Sequence, residues 1–158
     1  MRINEEVGIN TRIVISIAVR PAKKAPLELL IEAELDTDNG LNGDHYSGRS
    51  GKRHLTLISQ QEIDQTANLL NKEEIDPLLT RRNLLYSGPT ITDNEKRMIG
   101  IGDSCIIEIT GPCDPCHQMD KNFGEGAEKA MKGRAGLTAR VLRKGKIKPG
   151  DELFFIEK

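Results

Sequence analysis

The chain has 158 residues, 23 Lys and Arg against 24 Asp and Glu for a net charge of −1, and only 3% aromatic residues, with no Trp. That length suits one domain with a sizeable core. The even charge and the scarcity of rings argue against a nucleic-acid binder, which needs basic surface and stacking platforms.

No apolar run approaches the roughly 20 residues that cross a bilayer, and Met1 to Glu6 lack the apolar centre of a signal peptide. Three cysteines, two of them three positions apart, fit a reducing compartment better than a disulfide framework. A cytoplasmic protein without membrane contact is the expectation.

In chain order, residues 13–19 (IVISIAV) are β-branched and nearly continuous, which predicts a strand buried on both faces or a barrel stave, ending at Arg20-Pro21. Residues 27–35 break their apolar positions with Glu28, Glu32 and Glu34, the pattern of a half-exposed strand, with a short helix as the alternative. From 36 to 51, Gly40, Gly43, Gly48 and Gly51 stand among Asp, Asn and Ser, which predicts a long loop of the kind that carries function. A strand follows over 54–58, and Ser59 then stands three residues before Glu62, the spacing of a capping box. Ile63, Ala67 and Leu70 recur at helical intervals, so a helix is predicted over about 60–71. Asp76-Pro77 opens a further short turn with Pro at its first position, and 82–86 return to strand character before Ser87-Gly88-Pro89.

Residues 101–107 and 149–155 look alike: each sets Gly-Asp at a tight turn and then opens an apolar strand, a feature of small antiparallel barrels. Between them, 126–131 read as a short helix and 136–142 as a strand. Strands outnumber helices and show no βαβ alternation. The expected fold is therefore mainly β, a mostly antiparallel β-barrel with one or two flanking α-helices, forming a single domain over 1–158.

The chemistry concentrates in Gly111-Pro112-Cys113-Asp114-Pro115-Cys116-His117-Gln118-Met119-Asp120, just beyond a strand-like run. A proline before each cysteine stiffens the backbone, so the thiols are expected on a rigid loop rather than on a helix face. Thiolates are soft ligands and strong nucleophiles, which suggests a metal, sulfur transfer or redox work. Zinc would need four N or S ligands from Cys113, Cys116, His117 and His45, and no second CxxC or histidine pair exists. A thioredoxin-like pair must open a helix, and Pro115 with Gly124 and Gly126 argue against a long one. One functional thiolate with a neighbour, or two inert loop cysteines, are the remaining readings. Cys105, inside an apolar run, belongs to the core.

Thr80-Arg81-Arg82-Asn83 forms the second constellation. Two guanidiniums and an amide make a forked donor array suited to phosphate, against the plainer reading of two surface arginines. Strand alternation would put only one arginine on the inner side with Asn83. Arg53, at the end of the glycine-rich loop, either closes over the same anion or is solvated, and His45 reads as a hydrogen-bonded loop histidine. Gly100-Ile101-Gly102 lacks the third glycine of a dinucleotide fingerprint, and no P-loop, HExxH or GxSxG occurs.

Taken in order, the segments 40–45, 51–58, 81–84, 111–120 and 136–142 resemble the MOSC family, which takes its name from the C-terminal domain of molybdenum cofactor sulfurases. The likeness runs from about Ile13 to Asp151 and implies a β-barrel with flanking helices. It also implies binding of the molybdopterin-based molybdenum cofactor. Cys116 would be the catalytic thiol, reaching the metal or carrying sulfur, with Cys113 beside it. Arg81, Arg82, Asn83 and Ser59 would hold the pterin phosphate, with Arg53 nearby. The pyridoxal phosphate domain of cofactor sulfurases has no room in this length, so the likeness is to stand-alone bacterial members. Two functions fit: a molybdoenzyme reducing N-hydroxylated compounds with electrons from a partner protein, or a sulfur or cofactor carrier charged by a desulfurase, with Cys116 as the persulfide thiol.

Overall fold

The computed structural model describes residues 10–45, 51–92 and 97–156. In chain order its strands are β1 (Arg12–Val19), β2 (Glu28–Leu30), β3 (Ala33–Asp36), β4 (Gly40–Leu41), β5 (Leu55–Ser59), β6 (Leu84–Tyr86), β7 (Met98–Ile101), β8 (Cys105–Pro112), β9 (Leu137–Arg143), β10 (Gly145–Ile147) and β11 (Glu152–Phe155). Its helices are α1 (Gln60–Leu69), α2 (His117–Phe123) and α3 (Ala127–Ala130), with 3-10 turns at Gly51–Arg53 and Pro77–Thr80.

Seven strands close a barrel in the order β11-β7-β8-β9-β5-β6-β1, shut by pairing of β11 with β1, and β2 extends the outer edge of β1. Every pairing in the barrel is antiparallel except β5 with β6. Parallel neighbours need a crossover, and α1 with the 3-10 turn at Pro77–Thr80 supplies it. The strands β10, β3 and β4 form a separate small sheet.

Alternation along β8 and β9 sends Ile107, Ile109, Ala139 and Val141 inward to meet Ile17, Leu55 and Leu84 from the other staves. Each such aliphatic side chain contributes about 1.5–3 kcal/mol on leaving water. A second apolar cluster, including Ile58, Ile63, Met119, Phe123 and Met131, packs the three helices against the outside of the barrel. That layer carries the cysteine loop.

The mainly β barrel expected from the sequence is what the chain forms, with three helices flanking it. The capping box is present: the Ser59 side chain accepts from Glu62 N, and the Glu62 side chain accepts from the Ser59 backbone. The helix ends at Leu69, before Asn71, whose φ of 56° leaves the helical region. The single strand expected over 27–35 is instead two strands in different sheets, broken at Ile31, which is 92% exposed. Apolar content gave no sign of this break, because Ile31 packs on nothing. The strand β10 was not foreseen, since Gly145-Lys146-Ile147 carries too few residues for a period. Of the glycine-rich loop, 46–50 lie outside the described residues, Gly48 among them, while Gly40–Leu41 forms a short strand.

A cationic cleft beside Cys116

The cysteine loop is fixed from the strand-to-helix turn of β5 and α1. Glu62 is buried, and its Oε1 accepts from the Ser59 N–H and hydroxyl, both at 3.0 Å. Its Oε2 accepts from Gly136 N at 3.0 Å, and Gly136 O in turn accepts from Cys113 N at 2.9 Å. Gly136 has φ 90°, and a Cβ there would lie 2.1 Å from the Leu57 carbonyl oxygen, so only glycine lets the two chains approach. One carboxylate thus ties the helix start to the loop.

Within that loop the two thiols differ. Cys113 is 5% exposed and packs among Ile58, Ile63, Met119 and Phe123. Burial pushes its thiol up, with the nearby Arg82 guanidinium opposing. Cys116 is exposed and serves as the N-cap of α2. Both thiols stand on the loop before a helix rather than on a helix face, and that helix is short: it starts at His117 and stops at Gly124, where φ is 102°. Cys105 is sealed in the barrel, and burial pushes it up to about 12.

Cys116 faces a cleft of about 190 Å³. Its walls include Arg20, Lys23, Lys24, Arg53, Arg81 and Arg82, six cations, with His45 among them. Arg82 is buried, 8% exposed. Its Nε donates to Ala135 O at 2.8 Å and its Nη2 to Asp114 O at 3.4 Å, so the guanidinium braces the cysteine loop through backbone carbonyls. Among the described residues no carboxylate pairs with it. Burial pulls it below the usual arginine range, and the thiols of Cys113 and Cys116 act against that shift. A buried cation held only by dipoles is costly unless an anion arrives.

Arg81 also lines the cleft, which corrects the expectation that alternation would exclude one arginine. Neither arginine is on the strand, which begins at Leu84, and Arg81 has a left-handed φ of 65° as the cap of the 3-10 turn. Its Nη1 donates to Ala25 O at 2.6 Å, tying it to the connection between β1 and β2.

Asn83 lies one layer below. It is 2% exposed, and its Nδ2 donates to Asp44 Oδ1 at 2.9 Å and to Ala18 O at 3.0 Å. Its Oδ1 accepts from Thr56 N and Thr56 Oγ1, both at 3.0 Å. Asp44 accepts from Arg20 N at 2.8 Å and pairs with the Arg20 guanidinium at 3.1 Å. The amide therefore reaches the cleft only through Asp44 and Arg20.

Of the residues singled out from the sequence, the structure brings Cys116, Arg81, Arg82 and Arg53 to one cleft and sets Cys113 behind its wall. Ser59 is elsewhere, fully buried, with its hydroxyl shared between Glu62 and Thr90. Arg20, Lys23 and Lys24 were missed, because their distance from the cysteine loop in sequence leaves no spacing to read. His117 turns to Glu128 at 3.1 Å, and no group of three or more His, Cys, Asp or Glu that could hold a metal occurs among the described residues. A larger hollow of about 950 Å³ lies against the small sheet, lined by Asp36, Asp38, Arg143 and Lys146 among others and by no cysteine.

A barrel of this topology with a thiol beside a cationic cleft defines a class, and comparison with known proteins agrees. The profile of the MOSC domain matches residues 40–154, and the chain belongs to that family, one associated with molybdenum cofactor binding and sulfurase-like proteins. Among solved structures, YuaD from Bacillus subtilis superposes with a TM-score of 0.81 at 19% identity, over 90% of this chain and 94% of that one. YiiM from Geobacillus stearothermophilus gives 0.72 at 15% identity, covering 92% and 75%. YiiM from Escherichia coli gives 0.68 at 18%, covering 92% and 70%. These likenesses establish a shared fold. No curated protein sequence matches this chain significantly. No helix among the described residues is long and apolar enough to cross a membrane.

Proposed function

We propose that this chain binds molybdopterin-based molybdenum cofactor, with Cys116 as the metal ligand, and reduces N-hydroxylated compounds. The observation that carries this is a buried Arg82 guanidinium with no carboxylate partner among the described residues, lining the same cleft as an exposed cysteine. The donor set fits the group: a soft thiolate suits molybdenum, and guanidiniums in a partly dry cleft suit a phosphate. Bound there, the cofactor would supply two-electron redox chemistry at a metal. Arg82, with Arg81 and Arg53 above it, would hold the phosphate, and Arg20 would be steadied by Asp44 and Asn83. Cleaving an N–OH bond takes two electrons and two protons and releases water, so a partner protein must supply the electrons.

The decisive measurement is metal content. Protein purified from a host that makes the cofactor should retain molybdenum near one atom per chain, and Cys116→Ala should lose it. Protein carrying full cofactor yet inert towards hydroxylamino substrates would refute the reductase assignment.

A second function is favoured by one observation: Cys116 is exposed at the lip, while Cys113 is sealed and held as a thiol. A single accessible sulfur suits a carrier that takes a persulfide from a desulfurase and hands sulfur or cofactor to an acceptor protein. Intact mass after incubation with a desulfurase and cysteine should show added sulfur, absent in Cys116→Ala. An unmodified Cys116 would remove this alternative.

A further inference from the structure

Three non-glycine residues among those described have left-handed backbone: Lys24, Asn71 and Arg81. Two of them, Lys24 and Arg81, line the cationic cleft. Lys24 is the third residue of a tight turn closed by Ala25 N donating to Ala22 O at 3.1 Å, and its φ is 65°. At that position of a turn glycine is the preferred residue, because a Cβ there crowds the backbone. Arg81 caps the 3-10 turn with the same φ of 65°, again where glycine is the usual occupant. In both places the sequence carries a long cation instead. The two strained positions are also joined: Arg81 Nη1 donates to the Ala25 carbonyl, next to Lys24.

Strained backbone persists where surrounding structure fixes it and function rewards it. Lys24 is exposed, so no packing explains its presence. From this geometry we infer that Lys24 is a ligand-binding residue, gripping an anionic phosphate group at the rim of the cleft beside Arg81. The ligand class is a phosphate or diphosphate ester. This rests on the reading of the cleft as a cofactor site and adds to it a wall formed by the connection between β1 and β2. Backbone strain at this wall is traded for affinity.

The test uses inorganic pyrophosphate as probe, by calorimetric titration of the full chain without cofactor, together with thermal unfolding. Lys24→Gly removes the cation and relaxes the turn at once, so its two readouts should move in opposite directions. The unfolding midpoint should rise by about 2 °C, while pyrophosphate binds at least about tenfold more weakly, as for one lost charge-assisted bond. Asn71→Gly relaxes the third left-handed residue, and Lys72→Ala removes a nearby exposed charge. Both lie outside the cleft and should leave pyrophosphate affinity within twofold of the parent. Affinity unchanged in Lys24→Gly, a midpoint that fails to rise, or equal weakening in Lys72→Ala would each overturn the inference.

Molybdenum content separates this failure from failure of the cofactor assignment. A parent chain that retains molybdenum, and a Lys24→Gly variant that retains as much and binds pyrophosphate normally, sinks only the role of Lys24. A parent chain without molybdenum that still loses pyrophosphate affinity in Lys24→Gly sinks only the cofactor assignment. A parent chain that binds no pyrophosphate overturns the role of Lys24, and its molybdenum content then decides the cofactor assignment separately.

Discussion

Replacing Asn83 with alanine decides whether this amide is a ligand or a scaffold. The side chain donates two hydrogen bonds and accepts two good ones, all buried, at 2.9–3.0 Å. Its loss orphans the Thr56 N–H and the Ala18 carbonyl, each at about 1–3 kcal/mol, and strips one donor from a carboxylate, at about 1.5–3 kcal/mol. Entry of water into the vacated space offsets part of that sum, leaving a destabilisation of about 4 kcal/mol. With a urea slope of about 2 kcal/mol/M, the unfolding midpoint should fall by about 2 M. Urea titration followed by circular dichroism measures this directly, and bound molybdenum in the surviving folded protein should drop only partly, through a loosened Arg20. A midpoint shift below about 0.5 M, equivalent at that slope to about 1 kcal/mol, with molybdenum lost completely, would refute the reasoning. Asn83 would then act on the ligand itself.

Arg82→Met replaces a buried, carboxylate-free cation by an apolar chain of similar length. Stability should change by less than about 1 kcal/mol, while retained molybdenum falls to background in elemental analysis. Gly136→Ala forces a Cβ to within 2.1 Å of the Leu57 oxygen at a φ of 90°, and should cost at least about 3 kcal/mol by thermal unfolding. His54 is buried, its Nδ1 accepts from Val141 N at 3.0 Å, and burial with the Arg140 charge holds its pKa below the ordinary histidine value. The unfolded chain therefore takes up a proton that the folded chain refuses, so this histidine lowers stability as pH falls from about 6.5 and has no effect above it. His54→Phe should flatten the fall in urea midpoint between pH 7 and pH 5, and an unchanged slope would contradict the assignment.

The strands that could be read from sequence are those with dense local signal. β1 is a run of β-branched residues, β8 alternates inside and out over eight positions, and Ser59 with Glu62 spells out a helix start. Where the signal is short or relational, the reading fails. β10 has three residues, and β2 and β3 form one apolar stretch whose division depends on which sheet each joins. The site divides in the same way. Cys116 and the adjacent arginines could be named from residue type, whereas Arg20 and Lys24 meet them only because β1 runs beside β6. Alternation would turn Arg82 away from the side that Arg81 and Asn83 share, and it fails because both arginines precede the strand, Arg81 as a left-handed cap. Asn83 precedes the strand and lies beneath the cleft, where its bonds go to Asp44, Ala18 and Thr56.

The barrel is closed by a narrow join. β1 meets β11 through only two registered pairs, Arg12 with Leu153 and Ile13 with Glu152, backed by bonds between Val14 and the turn at Gly150 and Asp151. The cleft lies past the other end of the same strand, seven residues on at about 3.3 Å each. Breathing of this cylinder at its join would therefore leave the cationic end undisturbed. Barrel closure and the cationic cleft thus stand at opposite ends of one stave.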